Sequence, residues 1–312
     1  MNVEVSSKKT KLVLILGPTA VGKSDLALDL AGEIDGEIVN ADSQQVYRYL
    51  DIGTGKPSPA ERARAPHHLI DVINPDEDFN AALFRQLASQ SIAAIERRRR
   101  HAIVCGGTGL YLKALTKGLF AGVGSDPQTR EKLNREISAR GLTALYERLT
   151  KIDPSATSTI HPNDRQRIVR ALEVYEITGK PLSQWQKEHG FGDEPYDVLK
   201  IGLNRERAEL YDRINRRCQR MVEEGLLNEV RGLVKKGYGL DLKPLRSVGY
   251  RQMGGVVRGE MTLEAALNEM KQETRHLAKR QLTWFRADPE IRWFHPEHQR
   301  SEIFQVAKQF LR

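Results

Sequence analysis

The sequence contains little cysteine and no long apolar run, and each absence excludes a class of protein. Its 312 residues include two cysteines, Cys105 and Cys218, which lie far apart and form no C-x-x-C pair. A disulfide framework or a cysteine-based metal site is therefore not expected, and a reducing cytoplasm is the natural setting. Apolar stretches such as Leu12–Leu16 are too short to cross a bilayer, and the polar first eleven residues hold no secretory h-region. We therefore expect a cytoplasmic protein without a membrane span.

Positive charge, by contrast, is in excess. The 49 Lys and Arg residues outnumber the 41 Asp and Glu residues, which gives a net charge of +8 at pH 7. An excess of this size suggests a polyanionic partner without establishing one. Basic residues are concentrated in four stretches, and the first of them is interpreted only as a solvated helix face. The stretches are Arg97–His101, Arg165–Arg170, Arg213–Arg220 and Arg275–Arg286.

A glycine-rich turn near the start lies between a strand pattern and a helix pattern. Leu12–Leu16 predicts a buried strand and Asp25–Leu30 predicts a helix. Between them the pattern G-x-x-x-x-G-K-[ST] is matched by Gly17-Pro18-Thr19-Ala20-Val21-Gly22-Lys23-Ser24. The glycines let backbone N–H groups turn toward an anion, and the helix adds its positive N-terminal end. We predict that this loop binds a polyphosphate, with Lys23 on phosphate oxygens and the Ser24 hydroxyl on Mg²⁺.

Two other predicted strands lead into segments suited to ligand binding. Gly36–Asn40 leads to Asp42, whose position fits acid–base work, support of a metal or helix capping equally well. Ala102–Cys105 leads to the second glycine-rich turn, Gly106-Gly107-Thr108-Gly109, which adds N–H groups and a hydroxyl. Because carboxyl ends of parallel strands meet at one sheet edge, we expect these segments to lie near the first loop. The long intervening loop contains one more predicted strand, His68–Val72.

The patterns together predict an α/β fold with a P-loop-type, mostly parallel sheet flanked by helices and an inserted all-helical domain. Residues 122–195 show helical patterns only, and a strand returns at Tyr196–Leu203. Everything after Arg205 is predicted to be helical. We therefore divide the chain into a core of residues 1–121 and 196–312 and a helical insertion of residues 122–195.

The loop and the strand ends leave several functions open. A Walker-B strand would end in Asp or Asp-Glu, whereas Ala102–Cys105 ends in glycines, which weakens the interpretation as a motor ATPase. A kinase of a small acceptor remains possible on these grounds. A non-catalytic RNA-binding protein with a vestigial loop is a third candidate, and intact Lys23, Ser24, Asp42 and Thr108 argue against it.

The combination of motifs resembles the tRNA dimethylallyltransferase family, also called the tRNA isopentenyltransferase family. The resemblance covers nearly the whole chain in the family's order and shows no departure at any motif. Besides the loop Gly17–Ser24, it is carried by Asp42-Ser43-Gln44-Gln45-Val46-Tyr47, Gly106-Gly107-Thr108-Gly109-Leu110-Tyr111, His161-Pro162-Asn163-Asp164-Arg165-Gln166-Arg167, Arg246-Ser247-Val248-Gly249-Tyr250-Arg251-Gln252 and Lys279-Arg280-Gln281-Leu282-Thr283-Trp284.

The resemblance implies transfer of a dimethylallyl group from dimethylallyl diphosphate to N6 of an adenine, with release of diphosphate. That adenine lies 3′ of the anticodon in tRNAs that read codons beginning with U. The family uses Mg²⁺ and consumes no ATP. Its pattern implies that Asp42 orients the adenine amine and accepts its proton and that Arg217 clamps the diphosphate. Thr108 would hydrogen-bond near the reacting centre or the diphosphate, depending on its rotamer.

tRNA is the implied partner, and no obligate protein partner is expected. Because nothing in the sequence indicates a dimerisation seam, we expect a monomer. The target adenine would have to be flipped out of the base stack. The residues beside it would be Asp42, Ser43, Gln44, Gln45 and Thr108. The flanking tRNA backbone would be held by basic and polar groups of the insertion, within Arg130 and the stretch Gln166, Arg167, Ile168, Val169 and Arg170. In the core it would be held by Arg246, Arg251, Lys279, Arg280 and Arg286.

Overall fold

The computed structural model describes residues 9–118, 124, 126–189 and 194–312. The strands in this part of the chain are β1 (Thr10–Leu16), β2 (Gly36–Asn40), β3 (His67–His68), β4 (His101–Gly106), β5 (Tyr196–Leu203) and β6 (Arg292–Phe294). The helices are α1 (Lys23–Ile34), α2 (Pro59–Arg64), α3 (Ala81–Arg97), α4 (Gly109–Lys117), α5 (Pro127–Ile152), α6 (Pro154–Thr157), α7 (Arg165–Thr178), α8 (Leu182–His189), α9 (Arg207–Glu223), α10 (Leu226–Lys235), α11 (Tyr250–Val257), α12 (Leu263–Arg286) and α13 (Arg300–Leu311). A short 3₁₀ helix covers Lys243–Arg246.

The strands form one parallel sheet in the order β3-β2-β4-β1-β5-β6. Strand β1 pairs with β4 on one side and with β5 on the other, and its apolar run Leu12–Leu16 is buried. A strand covered on both faces reads as a continuous apolar run, which is why the pattern was visible in the sequence. The predicted α/β fold class is confirmed. Among the described residues, no helix is both long and apolar enough to cross a membrane.

Two strand predictions in the core were wrong. The strand predicted at His68–Val72 ends at His68, because Leu69 and Asp71 take left-handed φ angles of 62° and 56° that no strand can contain. The region after Arg205 is not wholly helical, since β6 adds three residues to the edge of the sheet beside β5. So short an edge strand has too few residues to show an alternating pattern.

The chain separates into two compact units, Met1–Thr116 with Pro195–Arg312, and Lys117–Glu194. The second unit contains α5 to α8 around its own core, in which Leu133, Leu145, Ile168 and Leu172 are fully buried. Helix α5 breaks at Gly141, whose φ of 81° divides it into two helical segments. The domain boundary predicted between residues 121 and 122 lies outside the described residues.

Candidate functional site

The glycine-rich loop between β1 and α1 has a backbone that its sequence makes possible. Gly17 has a φ of 146°, and a Cβ there would lie 2.7 Å from the carbonyl oxygen of Leu203, so no larger residue fits. Ala20 is left-handed at 64°. Lys23 Nζ donates to the carbonyls of Gly17 at 3.1 Å and Pro18 at 2.7 Å. The Lys23 ammonium therefore lies against the backbone of the glycine-rich loop.

Two arginines hold this loop from the side of α9. Arg205 is buried, and its Nε donates to the carbonyl of Val21 at 2.9 Å, while its other nitrogens pair with Glu209 and Glu297. Arg213 Nε donates to the carbonyl of Ala20 at 3.0 Å. Arg205 is not part of any motif that predicts this contact. Its position directly after a returning strand, at the edge where ligands bind, was the available signal.

The segments after β2 and β4 are joined by hydrogen bonds. Thr108 Oγ1 accepts a bond from the N–H of Ser43 at 3.1 Å, and the N–H of Thr108 donates to the carbonyl of Ala41 at 3.3 Å. Asp42 Oδ1 accepts from the N–H of Gln44 at 2.8 Å, which fixes the carboxylate in a turn. Among the residues that the structure describes, none hydrogen-bonds to its second oxygen, which leaves that oxygen open to a ligand.

Gln281 on α12 bridges the two glycine-rich turns. Its Oε1 accepts from the N–H of Thr19 at 2.8 Å, and its Nε2 donates to the carbonyl of Gly107 at 3.0 Å. One side-chain amide thus satisfies a donor of one turn and an acceptor of the other. Gln281 lies in the motif Lys279–Trp284, but its role was not predictable from sequence because its two partners lie 262 and 174 residues away.

Arg217 on α9 is the last of the predicted catalytic residues, after Asp42 and Thr108. Its Nη2 donates to the carbonyl of Thr54 at 3.2 Å, and a Cβ on Gly55 would lie 2.2 Å from the same nitrogen. Desolvation by burial lowers the pKa of Arg217, and the carboxylate of Asp42 acts in the opposite direction. Burial likewise lowers the pKa of Lys23 from 10.5 to about 8, although the charges of Cys105 and Asp42 act to raise it. The carboxylate of Asp42 therefore acts on both Lys23 and Arg217, so the three side chains lie near one another.

The residues beside the loop suit Mg²⁺. Ser24 is exposed on the first turn of α1, and the next residue in the chain is the exposed Asp25. Within the described ranges, no group of three or more His, Cys, Asp and Glu side chains is placed to hold a metal. Mg²⁺ commonly uses one or two protein oxygens together with substrate phosphates and water. One hydroxyl and a diphosphate fit that donor set.

The predicted tRNA-contacting residues of the core differ in their surroundings. Gln45 is buried, and its amide donates to the carbonyls of Thr54 and Gly55 at 3.2 and 3.1 Å, so it supports a loop. Gln44 Oε1 is buried and has no hydrogen-bond partner within the described part of the chain. The indole of Trp284 lies directly against Gly109 and is 44% exposed, so this tryptophan is not a core residue. The cationic residues are exposed: Arg246, Arg251, Lys279, Arg280 and Arg286.

The helical unit holds its predicted arginines through one buried acid. Glu173 is fully buried and accepts from Arg130 Nε at 2.8 Å, from Arg170 Nη1 at 2.9 Å and from the N–H of Asp126 at 2.9 Å. Gln166 and Arg167 are exposed on the first turn of α7.

Two apolar residues in the same stretch of α7 require a correction. Ile168 and Val169 pack into the core of the helical unit, with Ile168 fully buried, so their side chains do not form part of a tRNA-contacting surface. Of their neighbours, Arg167 is exposed and Arg170 is half-buried beside Glu173.

Comparisons with known proteins agree on one family. A family model described as IPP transferase matches residues 45–288. The chain is 55% identical to a tRNA dimethylallyltransferase of Syntrophobacter fumaroxidans, over 91% of this chain and 83% of that protein. It is 54% identical to a tRNA dimethylallyltransferase of Geobacter metallireducens, over 92% and 93%.

Solved structures of similar proteins belong to the same family. The tRNA isopentenylpyrophosphate transferase of Bacillus halodurans is 40% identical, with a TM-score of 0.72 over 97% of each chain. A eukaryotic dimethylallyltransferase, described as acting on tRNA, is 28% identical, with a TM-score of 0.81 over 97% of this chain and 79% of that one.

Proposed function

Because the chain belongs to the tRNA dimethylallyltransferase family, we propose that it transfers a dimethylallyl group from dimethylallyl diphosphate to N6 of the adenine 3′-adjacent to the anticodon. We propose further that its substrates are tRNAs that read codons beginning with U and that diphosphate is released. The observation that carries this proposal is the convergence of Lys23, Asp42, Thr108 and Arg217 at one sheet edge.

The donor half of the reaction uses the loop Gly17–Ser24. The allylic C–O bond breaks readily when negative charge on the departing diphosphate is neutralised. Lys23, the N–H groups at residues 22–24 and Arg217 are the cationic and dipolar groups that supply this. Mg²⁺, held by Ser24 and the diphosphate, would neutralise further charge when bound. Lys23 exchanges its bonds to the carbonyls of Gly17 and Pro18 for phosphate oxygens.

The acceptor half uses Asp42. The adenine amine is a weak nucleophile because its lone pair is delocalised into the ring. In the proposed step the N6–C bond forms as the C–O bond breaks, the electron pair of that bond leaves with diphosphate, and one N6 proton passes to Asp42. Thr108 holds the backbone at Ser43 through its 3.1 Å hydrogen bond, and thereby fixes the turn that carries Asp42.

The tRNA must present its adenine outside the base stack, which costs a few kcal/mol. Contacts to the flanking phosphates offset this cost and make affinity depend on salt. Two sets of residues are suited to such contacts. In the core unit they are the exposed Arg246, Arg251, Lys279, Arg280 and Arg286, and in the helical unit they are Arg130, Gln166, Arg167 and Arg170.

The test is a transfer assay with purified protein, Mg²⁺, dimethylallyl diphosphate and several tRNAs that read U-starting codons, without ATP. Nucleoside analysis by mass spectrometry should detect the prenylated adenosine. Matched controls are the same tRNAs with guanine at the target position and a tRNA that reads C-starting codons. Absence of product on every U-reading tRNA, with the protein folded, would refute the proposal.

A further inference from the structure

A carboxylate remote from the site in sequence organises one side of it. Glu229, on the first turns of α10, accepts three backbone N–H bonds from consecutive residues of the loop that follows β2: Asp51 at 3.0 Å, Ile52 at 2.7 Å and Gly53 at 3.3 Å. Three successive N–H groups that converge on one point form an anion-binding concavity. Here the protein's own carboxylate occupies it.

The carboxylate is itself fixed by Tyr250. The phenol donates to Glu229 Oε1 at 2.6 Å, and its ring is buried against Gly53, where a Cβ would lie 2.5 Å away. Both oxygens of Glu229 are therefore used, Oε2 by two N–H groups and Oε1 by a third and by the hydroxyl. An amide in place of the carboxylate could not accept all four bonds.

The loop held in this way presents its next carbonyl to the site. The carbonyl of Thr54 accepts from Arg217 Nη2 at 3.2 Å and from Gln45 Nε2 at 3.2 Å. Gly55, left-handed at 59°, packs directly against the Arg217 guanidinium. The position of Arg217 is thus set by a backbone segment whose anchor is Glu229.

We propose that Glu229, fixed by Tyr250, is a positioning residue that holds the loop at residues 51–55 so that Arg217 faces the diphosphate. This inference rests on the diphosphate role of Arg217 in the proposed function. It requires that Glu229 act on diphosphate binding through Arg217, and not through general stability.

The experiment is a double-mutant cycle on the affinity for inorganic pyrophosphate in the presence of Mg²⁺, measured by titration calorimetry. Glu229→Gln should weaken binding by about tenfold to a hundredfold, because small displacements of a positioned group have effects of that size. Glu229→Asp, which keeps the charge, and Tyr250→Phe, which removes one donor, should give intermediate losses. In the Arg217→Ala background, Glu229→Gln should cause no further loss.

Control variants and kinetics separate positioning from folding. Glu224→Gln changes an exposed acid just before α10 and should bind pyrophosphate as the unaltered protein does. Glu229→Gln should also raise KM for dimethylallyl diphosphate. If the substitution only made the protein less stable, a smaller fraction of it would be folded and active, and KM would be unchanged.

Three results would overturn the inference. Equal losses from Glu229→Gln in both backgrounds would show that it does not act through Arg217. Unchanged affinity in folded Glu229→Gln would show that the loop needs no anchor. Unchanged affinity in Arg217→Ala would refute the diphosphate role of Arg217, and with it this inference. The transfer activity itself is tested separately by the tRNA assay described above, so none of these three results refutes the proposed function.

Discussion

The hydroxyl oxygen of Thr108 accepts a hydrogen bond from the backbone N–H of Ser43 at 3.1 Å, across 65 residues of chain. It joins the turn that ends β4 to the turn that ends β2, and the second of these carries Asp42. The two turns therefore cannot move independently while this bond is formed. Its loss should displace the carboxylate and leave the donor loop in place.

Thr108→Val keeps the shape of the side chain and removes the acceptor. We expect kcat to fall by about a hundredfold, because a displaced acid–base group loses its alignment. Thr108→Ser retains the acceptor and should recover most of the rate. Steady-state transfer kinetics provide the comparison, and equal rates for the Val and Ser variants would show that the hydroxyl has no part.

Asp42→Asn should separate catalysis from tRNA binding. The amide Oδ1 can still accept from the N–H of Gln44, so the turn should keep its conformation. The amide cannot accept the N6 proton, and we expect kcat to fall about 10²–10⁴-fold. Filter binding should give an unchanged tRNA Kd. A variant that turns over at the normal rate would remove Asp42 as the base.

Lys23 should give diphosphate binding a pH dependence. Burial lowers the pKa of Lys23 to about 8, so the free protein loses this positive charge as pH rises through 8. Pyrophosphate affinity should therefore decrease above pH 8, towards about tenfold per pH unit. Lys23→Arg keeps its charge and should show no such inflection in titrations from pH 6.5 to 9.5. A matching decline in Lys23→Arg would assign the effect to another group.

The same shift predicts the effect of Lys23 on stability. Between pH 8 and 10.5 the unfolded chain holds a proton on Lys23 that the folded protein has lost. The contribution of Lys23 to the free energy of unfolding should therefore rise with pH across that window. Urea denaturation at pH 8 and pH 10 should show this rise relative to Lys23→Met.

Gln281→Glu tests the bridge between the glycine-rich turns. The carboxylate can still accept from Thr19, but it cannot donate to the carbonyl of Gly107 and it repels that oxygen. We expect the binding free energy of the diphosphate to weaken by about 1–3 kcal/mol, because the carbonyl of Gly107 loses its hydrogen-bond partner. Calorimetric titration with pyrophosphate measures it. Gln272→Glu, exposed on the same helix, adds the same charge and should bind normally.

Glu37 on β2 should govern acid stability. It is buried, and although desolvation acts to raise its pKa, hydrogen bonds from Arg98 and His68 lower the pKa from 4.5 to about 2. Its stabilising effect is full above pH 4.5 and is lost as pH falls toward 2. Glu37→Gln should cost about 2 kcal/mol at pH 6, a reduced value for a pair whose arginine is half exposed.

Urea denaturation at pH 6 and at pH 3 tests this dependence. The difference in the free energy of unfolding between Glu37→Gln and the unaltered protein should be smaller at pH 3 than at pH 6. Glu33→Gln removes the half-exposed carboxylate that pairs with Lys308 and should change stability little at either pH. A constant gap for Glu37→Gln would contradict the assignment.

Local sequence was sufficient to predict the structure wherever a strand leads directly into a turn. The buried run Leu12–Leu16, the glycine-rich turn after it and the helix at Lys23 all follow from neighbouring residues. The same logic placed Asp42 and Thr108 at strand ends, because parallel strands bring their carboxyl ends to a common edge. It could not exclude Ile168 and Val169 from an RNA surface, since that requires knowing which face of α7 is packed.

The connections between those turns were decided only by the tertiary structure. Gln281 reaches Thr19 across 262 residues, and Arg205 reaches Val21 across 184. Glu229 reaches Ile52 across 177 residues, and no periodicity links such pairs. Each contact depends on how a helix packs against the sheet edge, and packing is set by the whole core at once. The sequence by itself determined which groups stand at the edge, and the fold decided which side chains hold them there.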